Sequence, residues 1–204
     1  MLVHTTVDQH FWNQFGTLWL NQYRKHYPQA QLHCATVNMD THTQQHMNDL
    51  GIQTTPVGNN LSRAHIYLSR WLYIPESTTP VLVTQINVLP IKTYSFANIT
   101  AQQTRVCRQK PGKLGGVGAQ LFEPDAAQHT REHAASLWAD PPEYDHDINV
   151  WMMQNLTQDL RHLELRIKKP THNFPDWAHW ISAPHTNTKW PAERKAQVLK
   201  AACG

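Results

Sequence analysis

The run from Pro80 to Pro90, PVLVTQINVLP, constrains the fold more than any other stretch. Continuous β-branched and aliphatic residues between two prolines read as a strand buried on both faces of a parallel sheet, because neither face needs polar side chains. Gln85 and Asn87 interrupt the run where such a strand emerges from its sheet. Spaced two apart, they project to one side, and ligands of open α/β sheets bind outside the carboxyl ends of the strands. The start of an ordinary loop explains the same pair, so both readings stand at this point. Just upstream, RWLYIPE from Arg70 to Glu76 reads as the end of an amphipathic helix, since Pro75 disfavours the helical region for Ile74.

The preceding third of the chain alternates strand and helix. A short strand is predicted over Met1 to Thr6, and Asp8 can cap the helix that follows. In that helix, Phe11, Phe15, Leu18 and Gln22, flanked by Trp12, Trp19 and Tyr23, form the wide stripe of a helix lying on a sheet, and Pro28 stops it. Leu32 to Val37 is a second strand. Asp40 or Thr41 caps a polar helix that closes at Leu50 and Gly51, with Gly51 as its C-cap. Asn59 to Ser62 then opens the helix carrying Arg63 and Arg70. Seven residues is two turns, so the two arginines share a face, either a solvated one or one suited to phosphate. This alternation predicts an α/β chain with a mostly parallel central sheet flanked by helices.

Beyond the run the pattern is polar and irregular from Ile91 to Gln109, with a possible short strand over Arg105 to Arg108. Lys113 to Pro124, KLGGVGAQLFEP, then brings three glycines close together. Gly115, Gly116 and Gly118 imply a tight turn or close approach of the backbone to something. No Gly-Lys-Ser/Thr follows, so this is not a phosphate loop. Asp125 to Trp138 reads as a helix with Asp125 as its cap. Asp145 and Asp147 open another, ending near Leu163, where both favour the positive end of the helix dipole. Leu163 to Ile167 alternates like an edge strand, and Pro191 to Ala202 forms a last surface helix.

Composition removes several classes. A chain of 204 residues, 40% hydrophobic with eight tryptophans, suits one domain with a substantial core and not a disordered one. The net charge of +3 is mild and the basic residues are spread out, so no nucleic-acid partner is called for. Cys34, Cys107 and Cys203 lack Cys-x-x-Cys spacing, which fits a reduced intracellular protein without a zinc site. The fourteen histidines are scattered along the chain, which argues against metal storage. No basic segment followed by an apolar core opens the chain, and no long apolar run occurs. The expectation is a soluble, cytoplasmic protein with no membrane span.

Taken in order from about Leu2 to Trp190, these segments resemble the GT-A-type glycosyltransferases, which use nucleotide sugars. In that superfamily an arginine-bearing helix runs into a Pro-Glu turn, and a hydrophobic strand then ends in Asp-x-Asp, whose carboxylates hold a divalent metal on the donor diphosphate. The matching residues here are Arg70, Pro75-Glu76 and Gln85-Ile86-Asn87, with amides at both carboxylate positions. The resemblance implies a single GT-A-like domain, with residues 1–90 as the nucleotide-binding half, 91–190 as the acceptor and donor-sugar half, and 191–204 as a C-terminal helix. It places Thr5, Thr6 and Asp8 near the donor, gives Arg70, with Arg63, a role at the donor or the metal motif, and lines the donor-sugar pocket with Gly115, Gly116 and Gly118. Asp147, or Asp145 in its place, would face the acceptor or donor sugar. The terminal segment WISAPHTNTKW, without the glycine usual there, would bring His185 to the metal shell and Lys189 to the diphosphate.

The partners so implied are a nucleotide-diphosphate sugar donor and a glycan, protein or small-molecule acceptor. The implied cofactor is Mn²⁺ or Mg²⁺, held by Asn87 and His185, although neutral amides are poor ligands for such hard cations. An enzyme without the metal would rely on cations, for which Lys189, Arg70 and Lys113 are the candidates. The alternative is a GT-A-like module that has lost catalysis and serves binding or structure. Trp177, Trp180 and Trp190 can stack on sugar rings or fill the core.

Overall fold

The computed structural model describes residues 1–97, 103–107, 118–142, 157–161, 164–166, 178–183 and 191–204, together with Ile148, Trp151 and Phe174. Strand β1 (Leu2–Asp8) lies at the centre of the main sheet. It pairs in parallel with β2 (Gln31–Val37) on one side and β4 (Val81–Gln85) on the other. β3 (Ile52–Gly58) extends the sheet beyond β2, also in parallel. Past β4 come β7 (Ala119–Phe122), β6 (Gln103–Cys107) and β8 (Thr157–Arg161), giving the order β3-β2-β1-β4-β7-β6-β8. Only β7 runs against its neighbours. The mostly parallel α/β sheet expected from the strand–helix alternation is what the chain forms.

Helix α1 (Gln9–His26) covers one face of this sheet. Asp8 caps it by accepting from the Phe11 N–H at 2.8 Å, and Trp12, Phe15, Trp19 and Tyr23 recur every three or four residues on its buried side. Each of these side chains contributes roughly 1.5–3 kcal/mol by leaving water. A Cβ on Gly16 would come 2.5 Å from the Trp12 ring, so the indole can fold over the helix there only beside glycine. Helix α2 (Thr41–Asp49) is capped by Asp40 and ends at Gly51, whose φ of +74° is the left-handed conformation that glycine adopts without strain.

The other face of β1 carries Leu2 and, on β4, Val81 and Val83 against α3 (Arg63–Leu72) and α4 (Pro124–Ser136). Two residues further along, on the same side of each strand, stand His4 and then Thr6 on β1 and Gln85 on β4. This face therefore changes from apolar to polar toward the carboxyl ends of the strands.

Several expectations are corrected. The run from Pro80 to Pro90 is two strands, not one. β4 ends at Gln85, a turn holds Ile86 and Asn87, and β5 (Val88–Pro90) enters a second sheet of order β5-β10-β9. In it, β10 (Trp180–Ser182) lies antiparallel to β5 and parallel to β9 (Glu164–Arg166). The polar break at Gln85 and Asn87 coincides with the turn, but the apolar residues on either side carry no mark of which sheet each half joins.

Glu123, not Asp125, is the N-cap of α4, because Pro124 takes the first helical position and Asp125 falls within the first turn. The helix expected to end near Leu163 does not reach it, since β8 occupies residues 157–161. β3 has no counterpart among the expected elements, since Gln53, Thr54, Thr55 and Pro56 give no apolar alternation. It is an edge strand, where polar residues and proline are tolerated. The C-terminal helix α5 (Ala192–Cys203) is largely exposed but buries Val198 in the core beside α1. No helix among the described residues is long and apolar enough to cross a membrane.

Candidate active site

Where β1 and β4 emerge from the sheet, their ends and helix α3 enclose a cavity of about 220 Å³. Thr6, Asp8, Arg70, Gln85 and Asn87 all contribute to its wall, as do Phe11 and Tyr67. Thr6 and Gln85 are direct register partners on β1 and β4, and Asp8 follows Thr6 on the same side of β1. The turn at Ile86 and Asn87 is where the chain leaves one sheet for the other. The site thus forms beyond the carboxyl ends of parallel strands, where α/β sheets leave a crevice.

The polar groups differ in what they already do. Asp8 caps α1 through Oδ1. The Asn87 side-chain amide donates to the Ala183 carbonyl at 2.9 Å, and the Ala183 N–H donates back to the Asn87 carbonyl at 2.8 Å. This reciprocal pair extends the β5–β10 ladder and makes Asn87, nearly fully buried, a structural rivet between the two sheets. Gln85 donates its backbone N–H to the Gly118 carbonyl at 3.0 Å, which places that glycine beside the strand end. The Thr6 hydroxyl is sealed from solvent and meets no hydrogen-bond partner among the described residues, so Thr6 shapes the wall without presenting its oxygen to it.

Arg70 is buried in the last turn of α3, its guanidinium 5.1 Å from the centre of the Trp71 ring. Arg63 is exposed and does not line the cavity. It instead braces Tyr67, donating from Nε and Nη2 to the Tyr67 hydroxyl at 2.9 and 2.7 Å. The expected shared face of the two arginines is therefore divided by depth: Arg70 lies inside, and Arg63 supports an aromatic that reaches the cavity. Trp180 is completely buried among Tyr27, Tyr94 and Phe96, which fixes it as core and removes it as a sugar-stacking residue. Gly115, Gly116, Asp145, Asp147, His185, Lys189, Lys113, Trp177 and Trp190 lie outside the described residues.

The described donors around the cavity do not by themselves fit Mn²⁺ or Mg²⁺. These ions take several hard oxygen ligands, usually with carboxylates among them. Here one carboxylate is engaged as a helix cap, and one of the two amides already donates to a main-chain carbonyl. Among the described residues no three carboxylate, imidazole or thiolate groups gather into a metal-binding cluster.

A larger hollow, about 940 Å³, lies at the opposite end of the sheet between Met1, Gln31, Thr79 and the start of α4. It contains Glu76 of the Pro-Glu turn but neither Thr6, Asp8, Arg70, Gln85 nor Asn87, and β1, β2 and β4 present their amino ends there. Size alone would favour it; the placement of chemistry favours the smaller cavity.

Phe11 and Tyr67 were not singled out from sequence as site residues, because aromatics at helical spacing read as core. The available signal was position: Phe11 lies in the first turn after Asp8, and Tyr67 lies one turn before Arg70.

No sequence family matches the chain, and no curated protein matches it in sequence. Solved structures do match in shape. The galactosyltransferase LgtC, solved with donor and acceptor sugar analogs, superposes with a TM-score of 0.60 at 12% identity, over 100% of this chain and 97% of LgtC. A glycosyltransferase involved in glycosylation of the major capsid of PBCV-1 gives 0.58 at 11% identity, over 97% and 98% of the two chains. GlyE of Streptococcus pneumoniae TIGR4 gives 0.64 at 10% identity, with 98% of this chain on 62% of GlyE. The chain has the GT-A fold. At such identities the likeness establishes the fold and leaves the chemistry to the site. In the GT-A fold observed here β4 ends at Gln85 and runs into a turn of Ile86 and Asn87, with the amide of Asn87 committed to holding the second sheet.

Proposed function

We propose that the protein is a glycosyltransferase that binds a nucleotide-diphosphate sugar in the cavity at the ends of β1 and β4 and transfers the sugar to an acceptor hydroxyl without a divalent metal. One observation carries the reading: Asp8, Arg70, Gln85 and Asn87 meet in a single cavity at the point where a GT-A sheet opens. In the transfer, the acceptor oxygen bonds to the anomeric carbon while the bond from that carbon to the diphosphate oxygen breaks. The electron pair leaves on the diphosphate and the acceptor proton goes to a base. Charge thus develops on the leaving diphosphate, and a cation held in a water-poor site stabilises it most. Arg70 supplies that cation in the proposal, with planar geometry suited to phosphate oxygens.

The faces of Phe11 and Tyr67 suit a nucleobase. A cavity of about 220 Å³ accommodates part of a donor only, since ligand pockets typically span roughly 300–1,000 Å³. Following the resemblance, Gly115 and Gly116 sit by the donor sugar, Asp147 is the base, and Lys189 contacts the diphosphate.

Thermal stabilisation by a panel of nucleoside diphosphates and nucleotide sugars, with Mn²⁺ and with chelator, tests this. A ligand that binds only the folded chain raises the melting temperature by mass action. The expected result is stabilisation by one base class that survives chelator, together with release of nucleoside diphosphate from the matching sugar donor. Stabilisation that requires Mn²⁺ would refute the metal-free form. The commitment of Asn87 to Ala183 equally suits a second reading, a nucleotide-binding module without catalysis, which stabilisation without any release of diphosphate would select.

A further inference from the structure

Beneath the cavity the sheet buries two histidines side by side. His4 on β1 and His33 on β2 are register partners, both almost wholly inaccessible, with ring centres 5.0 Å apart. Their Nδ1 atoms lie 2.9 Å from each other. His4 Nε2 lies 3.1 Å from the Arg70 carbonyl oxygen, and His33 Nε2 lies 2.9 Å from the Thr55 hydroxyl.

These contacts admit one arrangement of protons for a neutral pair. A carbonyl only accepts, so His4 Nε2 carries a hydrogen, and His4 Nδ1 is then an acceptor. His33 must donate from Nδ1, and its Nε2 accepts from the Thr55 hydroxyl. The chain runs one way: Thr55 to His33 to His4 to the Arg70 carbonyl. Burial holds both imidazoles neutral, pushing His33 down to about 4 and His4 well below its usual range, where the neighbouring His33 lowers it further.

The end of α3 shows what this chain is for. Carbonyls in the last turn of a helix lack partners within the helix. The Ser69 carbonyl accepts from Tyr73 N–H and the Trp71 carbonyl from Ile74 N–H. The Arg70 carbonyl between them is met by His4. Two buried imidazoles cost more than two apolar side chains unless they satisfy something, and here they satisfy the backbone of the residue that puts a guanidinium in the cavity.

We infer that the His4–His33 pair is a positioning device for Arg70: the directional chain from Thr55 locks the last turn of α3 onto β1 and so fixes where the Arg70 guanidinium stands. Its consequence for ligand binding rests on the reading of the cavity as a diphosphate site; the positioning itself does not.

The test has three arms. Long-range ¹⁵N–¹H spectra of the unmodified protein at neutral pH read the tautomers, with His4 protonated on Nε2 and His33 on Nδ1 as the expected result. Either histidine found in the opposite tautomer overturns the inference, whatever the variants do. In the second arm, the heteronuclear NOE of the Arg70 side-chain Nε–H is compared between the native protein, His4→Leu and His4→Gln. Gln keeps a donor for the Arg70 carbonyl and Leu does not. His4→Leu should loosen the side chain and His4→Gln should restore it; an equally ordered Arg70 in His4→Leu overturns the inference. The third arm measures affinity for the same nucleoside diphosphate panel. About tenfold weaker binding is expected in His4→Leu, with recovery in His4→Gln, the size of one lost hydrogen bond. If the native protein binds none of the panel while Arg70 still loosens in His4→Leu, the positioning stands and the cavity reading falls. If the native protein binds and His4→Leu binds as well as native, the positioning has no purchase on the site and the inference is overturned.

Discussion

At the scale of single residues, the site is built from groups with two tasks. Asn87 faces the cavity and also ties β5 to the loop after β10, so its amide cannot be exchanged freely for a carboxylate. Asn87→Asp sets a carboxylate oxygen against the Ala183 carbonyl and removes a buried hydrogen bond. It is expected to lower unfolding free energy by about 1–3 kcal/mol in urea titrations, whereas Gln85→Glu, with no such bond, should change it by less than about 0.5 kcal/mol. Equal effects of the two would remove the rivet assigned to Asn87.

Asp8 allows its tasks to be separated. Asp8→Ala should cost about 1 kcal/mol through loss of the α1 cap, while Asp8→Asn keeps an acceptor for Phe11 N–H and keeps the stability. If Asp8→Asn nevertheless changes nucleotide affinity, the carboxylate acts on ligand as well as on the helix. Both residues stood out in the sequence, Asn87 as a polar break in an apolar run and Asp8 as a cap. The bond from Asn87 to Ala183 spans 96 positions, and no local pattern announces it.

Among the elements, α3 carries the site, and its two ends are held differently. Ser62 caps the start, accepting from His65 N–H, while the end is held from below by His4. A pH dependence follows. The folded chain keeps His33 and His4 unprotonated where the unfolded chain would protonate them, so the unfolded state binds more protons below about pH 6.5 and stability falls as the pH drops from there toward about 4. The slope is at most about 1.4 kcal/mol per pH unit for each histidine. Urea midpoints measured between these limits should fall in the native protein and fall less in the double variant His4→Gln, His33→Asn. An unchanged slope in that variant would move the effect to other groups, such as His26 and His133, which burial also shifts downward.

Legible from sequence are β1, α1, β2, α2 and α3, where periodicity and caps agree, and also α4, β9 and α5, which lie within a few residues of their expected places. Where an apolar run passes from one sheet into another, as from β4 to β5, or a three-residue strand such as β10 follows a polar segment, pairing partners far away in sequence decided the outcome. β3 shows the reverse case, a polar stretch made into a strand by its place at an edge.

For the whole molecule, the decisive feature is the polarity of the sheet. Six of the seven strands of the main sheet run the same way and leave its two ends unequal: Asp8, Arg70, Gln85 and Asn87 gather at the carboxyl ends of β1 and β4, while the wider hollow at the other end holds none of them. Sequence order alone brought these residues under suspicion through their likeness to a glycosyltransferase core. It did not reveal that Arg63 serves Tyr67, that Phe11 joins the wall, or that the Thr6 hydroxyl is sealed, because each depends on which way a side chain turns once the sheet has formed. Thr6→Val should accordingly leave nucleotide affinity unchanged and stability unchanged or slightly higher, since it removes an unpaired buried hydroxyl.

On the proposed reading, a nucleoside diphosphate binds at the carboxyl ends of β1 and β4 without a metal. Amide chemical-shift mapping of the ¹⁵N-labelled protein, titrated with the nucleoside diphosphate that stabilises it most and with chelator present, tests this most directly. The account predicts that the largest shifts fall on Asp8, Phe11, Tyr67, Arg70, Gln85 and Asn87. Shifts centred on Glu76, Thr79 and Asp125 at the opposite hollow, or none until Mn²⁺ is added, would contradict it.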